Sequence, residues 1–265
     1  MFNLKKVIIP VITLLMIQTT VPSVEGITLN IDTSNLAHGT VSVGYKPESK
    51  ADVKVLIHKD HVKYTYNLYE NDVFPLQLDN GKYTVSILEN VIDNKYKVVK
   101  SEDVILQLED NNLVYLQSNQ IINWNENMTP IQKAKELTKD AKNDIEKVAS
   151  IYSYIVKSIK YDNNKANSVQ SDYIPSIEST FITLDGICYD YAALFAAMLR
   201  SVEVPTKLVM GRKNDISTYH AWNEVYLKDR NQWVTMDTTY DAALKVDSSN
   251  EMIKNSGDYV GERHY

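Results

Sequence analysis

The sequence predicts an α+β protein in two parts. An all-β half covers residues 27–120, and a mixed half covers 121–265, where a helix packs on an antiparallel sheet. Three observations predict it. Apolar and polar residues alternate at period two through the first half. The composition turns polar and Asn-rich across Asn119-Gln120-Ile121-Ile122-Asn123-Trp124-Asn125. Beyond that stretch helical spacing takes over, and three strand-like runs follow it.

The chain opens with Lys5 and Lys6, then runs apolar from Val7 to Ile17, then turns polar and reaches Val24-Glu25-Gly26 with small residues spaced like a cleavage site. That order reads as a secretory signal peptide over 1–26. The apolar run is shorter than the roughly 20 residues a membrane helix needs, and no later stretch suits a membrane span. Secretion is therefore expected, with attachment at the cell surface as an open option. Formal charge is −6 for the chain. The leader carries Lys5, Lys6 and Glu25, so the remainder is more acidic still, and with no basic run it excludes nucleic acid as the main partner.

In the first half, Val53, Val55 and Ile57 alternate with Lys54, Leu56 and His58. Tyr83, Val85 and Ile87 alternate with Thr84, Ser86 and Leu88 after an Asp79-Asn80-Gly81 turn, and Val104, Leu106 and Leu108 form a third such run. Strands at this spacing read as a sandwich of roughly seven strands, resembling an immunoglobulin-like module. No cluster of chemistry-bearing residues appears in it. His58 and His61 read as solvated surface.

In the second half, Thr129-Pro130-Ile131-Gln132 reads as a helix start with a capping box. Ile145, Val148, Tyr152, Ile155 and Ile159 keep helical spacing behind cap candidates Asn143 and Asp144. From Asp162 to Ser179 the chain is Asn-, Ser- and Lys-rich and reads as a long loop, a groove wall or lid before the next helix. That helix starts at Gly186-Ile187-Cys188. Cys188, Ala192, Phe195, Ala196 and Leu199 share one face, which is expected to be its core face. Strands are expected at Thr206–Arg212, His220–Leu227 and Gln232–Thr238. The polar turn Lys228-Asp229-Arg230-Asn231 would make the last two antiparallel. No reading emerges for Gly257–Tyr265.

Cys188 is the chain's one cysteine. A single thiol in a secreted chain cannot form an internal disulfide, so it is reactive or pairs between molecules. It lies in the first turn of its helix, where unpaired backbone N–H groups favour an anion and so the reactive thiolate. His220 opens one expected strand and Asp237 closes the next. Because these strands run oppositely, the two residues share one end of the sheet. A histidine can take the thiol proton, and a carboxylate can hold the imidazole in the right tautomer. The thiolate then attacks a carbonyl, and N–H groups near Cys188 hold the oxyanion. Trp222 is expected as a wall beside His220, and Tyr161 as a weaker pocket-lining candidate. One cysteine and five histidines cannot build a cysteine-paired zinc site, and no EF-hand loop is present, so no metal or cofactor is expected.

The blocks Ile155–Asp162, Gly186–Ala192 with Leu199-Arg200, Val209-Met210-Gly211, His220–Glu224 and Trp233–Thr239 together resemble the transglutaminase-like superfamily. The resemblance covers about Asp144 to Asp241. It implies a papain-like cysteine-protease fold with Cys188, His220 and Asp237 as catalytic triad. The chain departs from the family pattern twice. Glu203-Val204-Pro205 stands where a glycine usually precedes isoleucine-proline, and Asp237-Thr238-Thr239 where aspartate-proline-threonine is commoner. The resemblance implies acyl transfer through a thioester on protein or peptide substrates, either transamidation of glutamine or hydrolysis as a peptidase or amidase. Two other readings stay open: a non-catalytic binding protein of the cell surface or wall, and an exported protein that pairs through an intermolecular disulfide.

Overall fold

The computed structural model describes residues 29–47, 51–69, 72–170, 172–244 and 252–265. The expected leader lies outside them. Among the described residues no helix is long and apolar enough to cross a membrane.

The first half forms two antiparallel sheets. Strands β1 (Asn30–Asp32), β2 (Thr40–Gly44) and β5 (Val73–Pro75) make one, in that order. Strands β3 (Val53–Lys59), β4 (Val62–Asn67), β6 (Gly81–Ile92) and β7 (Lys95–Leu106) make the other, in the order β4-β3-β6-β7. The period-two pattern acts as expected: Val53, Val55, Ile57, Tyr83, Val85 and Ile87 are all buried. They join Val41, Val43 and Phe74 of the other sheet in one core. Asp79 takes a left-handed φ of 58° at the expected turn, and Asn80 ties that turn to Leu108 through two hydrogen bonds of 2.7 and 2.8 Å.

The second half begins with helices α1 (Thr129–Thr138) and α2 (Asp144–Ser158). The capping box expected at Thr129 does not form. Thr129 already lies in the helix and is held by Glu178, and Gln132 donates to the Glu126 carbonyl instead of reaching back. Asn143 does cap α2, accepting from the Glu146 N–H at 3.0 Å. Strand β8 (Lys160–Tyr161) pairs in parallel with β9 (Asp185–Gly186). Between them the expected long loop contains two short helices, α3 (Asn163–Ser168) and α4 (Ile177–Thr183). Helix α3 has no buried residue, so no apolar pattern announced it; Asp162 and Ser176 cap the two helices.

Helix α5 (Cys188–Arg200) follows, then β10 (Thr206–Lys213), β11 (Ile216–Leu227), β12 (Gln232–Met236), α6 (Thr238–Leu244), β13 (Ile253–Lys254) and β14 (Tyr259–His264). The sheet runs β13-β12-β11-β10-β14. Helix α5 packs on β10 and β11 from one side and meets α1, α2, α4 and α6 on the other. Its burial is therefore not confined to one face: every residue from Asp190 to Arg200 is buried. Strand β11 starts at Ile216, earlier than expected, so His220 sits inside the strand opposite Gly211 and does not open it. Asp237 follows directly on β12 and caps α6, accepting from the Tyr240 N–H at 2.9 Å.

The unread C-terminal run is the edge strand β14. A Cβ at Gly211 would lie 2.1 Å from the Val260 carbonyl oxygen, so only glycine lets β14 close on β10 there. The far end of β14 reaches the first half. Arg263 donates to the Lys63 carbonyl at 2.7 Å, and the Tyr265 ring packs edge-on against Tyr64 and Tyr66.

Candidate active site

Ile187 supplies no side-chain cap to α5, so the first-turn N–H groups around Cys188 stay open to an anion. Cys188 is partly exposed. His220 Nε2 lies 2.7 Å from Asp237 Oδ2, and Cys188 lies near enough to the ring to raise its proton affinity. A carboxylate can only accept, so Nε2 carries the proton toward Asp237. Nδ1 is then the ring nitrogen left for sulfur. His220 is 5% exposed and Asp237 wholly buried. Burial opposes a charge on His220, but Asp237 and Cys188 outweigh it and hold the imidazole up at about 9.

His220 and Asp237, expected at one end of the sheet, are hydrogen-bonded, although His220 arrives from within its strand. Trp222 stacks on His220 with ring centroids 6.2 Å apart, as a wall would. Tyr161 is 40% exposed. Its hydroxyl is pushed up by burial and then by charge at Cys188 and Asp190, and Tyr161 pairs with Gly186, two residues before Cys188.

Three further groups escaped the sequence reading. Tyr259 of β14 donates to Asp237 Oδ2 at 3.2 Å and packs on Trp222 at 5.1 Å. Tyr152 of α2 places its hydroxyl 3.0 Å from the Asp237 carbonyl and 2.7 Å from Asp241 Oδ2. Asp190, two residues past Cys188, is wholly buried. It accepts from the Ile187 N–H at 2.8 Å, pairs with Lys165 at 2.7 Å and accepts from the Tyr173 hydroxyl. One signal could have revealed Asp190: a carboxylate in the first turn of an otherwise apolar helix is a cap in waiting. A polar cleft of about 470 Å³ opens beside Tyr259, lined by Lys213, Tyr240, Lys254 and Asp258 among others; neither Cys188 nor His220 lines it.

Residues 131–238 match the family model of the transglutaminase-like superfamily, so the second half has a transglutaminase-like core. No curated protein sequence matches the chain. Among solved structures, a candidate cysteine protease from Cytophaga hutchinsonii is similar at 15% identity and a TM-score of 0.43, over 82% of this chain and 90% of that one. Legionella pneumophila LapG is similar at 15% identity and 0.32, over 48% and 82%. Red sea bream transglutaminase is similar at 11% identity and 0.32, over 76% and 48%. No activity follows from likeness at this level.

Proposed function

We propose that this protein is a cysteine-dependent acyl-transfer enzyme acting on amide carbonyls of proteins or peptides, with Cys188, His220 and Asp237 as its catalytic triad. The single observation that carries the reading is the His220 ring, bonded to Asp237 through Nε2 at 2.7 Å, with its proton affinity raised by Asp237 and by Cys188. In this mechanism the Cys188 proton passes to His220, and Asp237 stabilises the imidazolium. The thiolate attacks the carbonyl carbon, and first-turn N–H groups of α5 receive the oxyanion. As the tetrahedral adduct collapses, the C–N bond breaks and His220 returns the proton to the leaving amine or ammonia. The thioester is then cleaved by a second amine, giving transamidation of a glutamine side chain, or by water, giving hydrolysis. Transamidation is the reading we favour, on the family match over 131–238. Export through the 1–26 leader, with the immunoglobulin-like β half presenting the enzyme to surface or wall substrates, completes the proposal.

The test is Cys188→Ala against wild type, with a fluorescent primary amine and a glutamine-rich acceptor protein. Amine incorporation should vanish in the variant while its fold stays intact. Release of ammonia without incorporation in wild type would replace transamidation by hydrolysis. Activity surviving in Cys188→Ala would remove Cys188 as nucleophile.

A further inference from the structure

A buried carboxylate two residues from a nucleophilic thiol is a liability. Asp190 is wholly buried and sits in the same helix turn as Cys188, where negative charge is meant to develop on sulfur and then on the substrate oxygen. Unopposed, its charge would work against both through a poorly screened medium. The groups facing it come from four places. Lys165, on α3, pairs with Oδ2 at 2.7 Å. Tyr173, between α3 and α4, donates to Oδ1 and also accepts from Lys165 at 2.7 Å. The Ile187 N–H donates to Oδ2 at 2.8 Å. Tyr161, on β8, feels both Asp190 and Cys188. Among these, Lys165 alone brings positive charge. Gly186 is shaped to the arrangement, since a Cβ there would stand 2.7 Å from the Asp190 Cβ.

Resting on the reading of Cys188 as nucleophile, we propose that Lys165 is a positioning residue for the thiolate: it neutralises buried Asp190, so that Asp190 can lock the α5 entry turn without repelling the anion beside it. The polar segment between β8 and β9 thus has a purpose that a groove wall or lid does not describe. It carries the counter-charge of the nucleophile's helix end. Burial opposes the charge on Lys165, but the hydrogen bonds and charge of Asp190 and Tyr173 outweigh it and raise its proton affinity.

The test is the rate of Cys188 alkylation by iodoacetamide from pH 6 to 9 in the full chain, in Lys165→Met, Lys165→Arg and Lys165→Met/Asp190→Asn. The probe reads the electrostatics of the sulfur whether or not Cys188 is the nucleophile, and the Cys188→Ala assay decides that separately. Lys165→Met should slow alkylation about tenfold near pH 8, because the counter-charge to Asp190 is gone. Lys165→Arg should stay near wild type. The double variant, with no charge at either position, should recover to within about threefold of wild type, which a merely structural role would not produce. Wild-type rates in Lys165→Met, or a double variant as slow as the single, would overturn the proposal. Should the double variant fail to fold, the Met and Arg singles decide: equal slowing in both would contradict it.

Discussion

At the scale of the residue, the site is a set of proton positions fixed by which atoms can donate. Asp237 Oδ1 is taken by the Tyr240 N–H, and Oδ2 serves both His220 and Tyr259. The carboxylate cannot turn without losing a partner, and so it holds the ring. Asp237→Asn keeps the shape but removes the charge that stabilises imidazolium. Turnover should fall by at least about 100-fold. The alkaline limb of kcat/KM, expected near the pH of about 9 at which His220 loses its proton, should move to lower pH. The sign for stability follows from the same shift. His220 binds its proton more tightly folded than unfolded, so its contribution is complete below about 6.5 and is lost as pH rises through about 9. Thermal melts across that window should fall more steeply in wild type than in Asp237→Asn. The His220–Asp237 pair was legible from residue types and strand order, although Asp237 lies just past β12. Asp190 was not, because a charged residue in an apolar helix looks like a break in the pattern until its partners from a polar segment are seen.

At the scale of the element, α5 is the piece everything else positions. Its surroundings on all sides explain the run of alanines: small side chains let β10, β11 and four helices approach together. Phe195 and Tyr191 are the large exceptions, both wholly buried, and Phe195 lies edge-on to Tyr152 at 5.6 Å. Phe195→Ala should cost about 3–5 kcal/mol in denaturant unfolding. Periodicity recognised the helix but not that both its faces are covered, since a core face and a second packed face are equally apolar. The end of α5 holds the other lesson. The chain reverses through bonds from the Val204 N–H to the Leu199 carbonyl and from the Glu203 N–H to the Arg200 carbonyl, with Glu203 at a φ of 65°. That conformation favours glycine, the residue the family usually carries there. Glu203→Gly should therefore stabilise the protein by about 0.5–1 kcal/mol, whereas Glu203→Ala should not. Equal melting temperatures for the two variants would refute the backbone argument.

At the scale of the molecule, the two halves are joined around Arg200. Its guanidinium is buried and donates to three carbonyls, those of Thr206, Gln117 and Tyr265, at 2.9, 2.6 and 2.9 Å. One side chain thus links the sheet, the connection from the β half and the end of β14. Arg200→Met would strand those carbonyls. It should cost about 3 kcal/mol, and it should split a single unfolding transition into two as the halves uncouple. A single transition at unchanged midpoint would show that the halves are coupled elsewhere. This joint was not readable from composition. Strand β14 is mostly polar and exposed on its outer side, so it carries no apolar alternation, and its role rests on backbone pairing and on Gly211. Through β14 the edge of the sheet brings Tyr259 to Asp237, so the remote end of the chain helps set the charge at the site.

The central claim is that one imidazole joins the sulfur to the carboxylate, and the titration of His220 tests it most directly. Nitrogen-15 NMR of the imidazole, assigned with a His220→Gln variant, should show the ring protonated through neutral pH and losing its proton near pH 9 in wild type, and at lower pH in both Asp237→Asn and Cys188→Ala. A ring that titrates near 6.5 in wild type, with neither substitution moving it, would contradict the account.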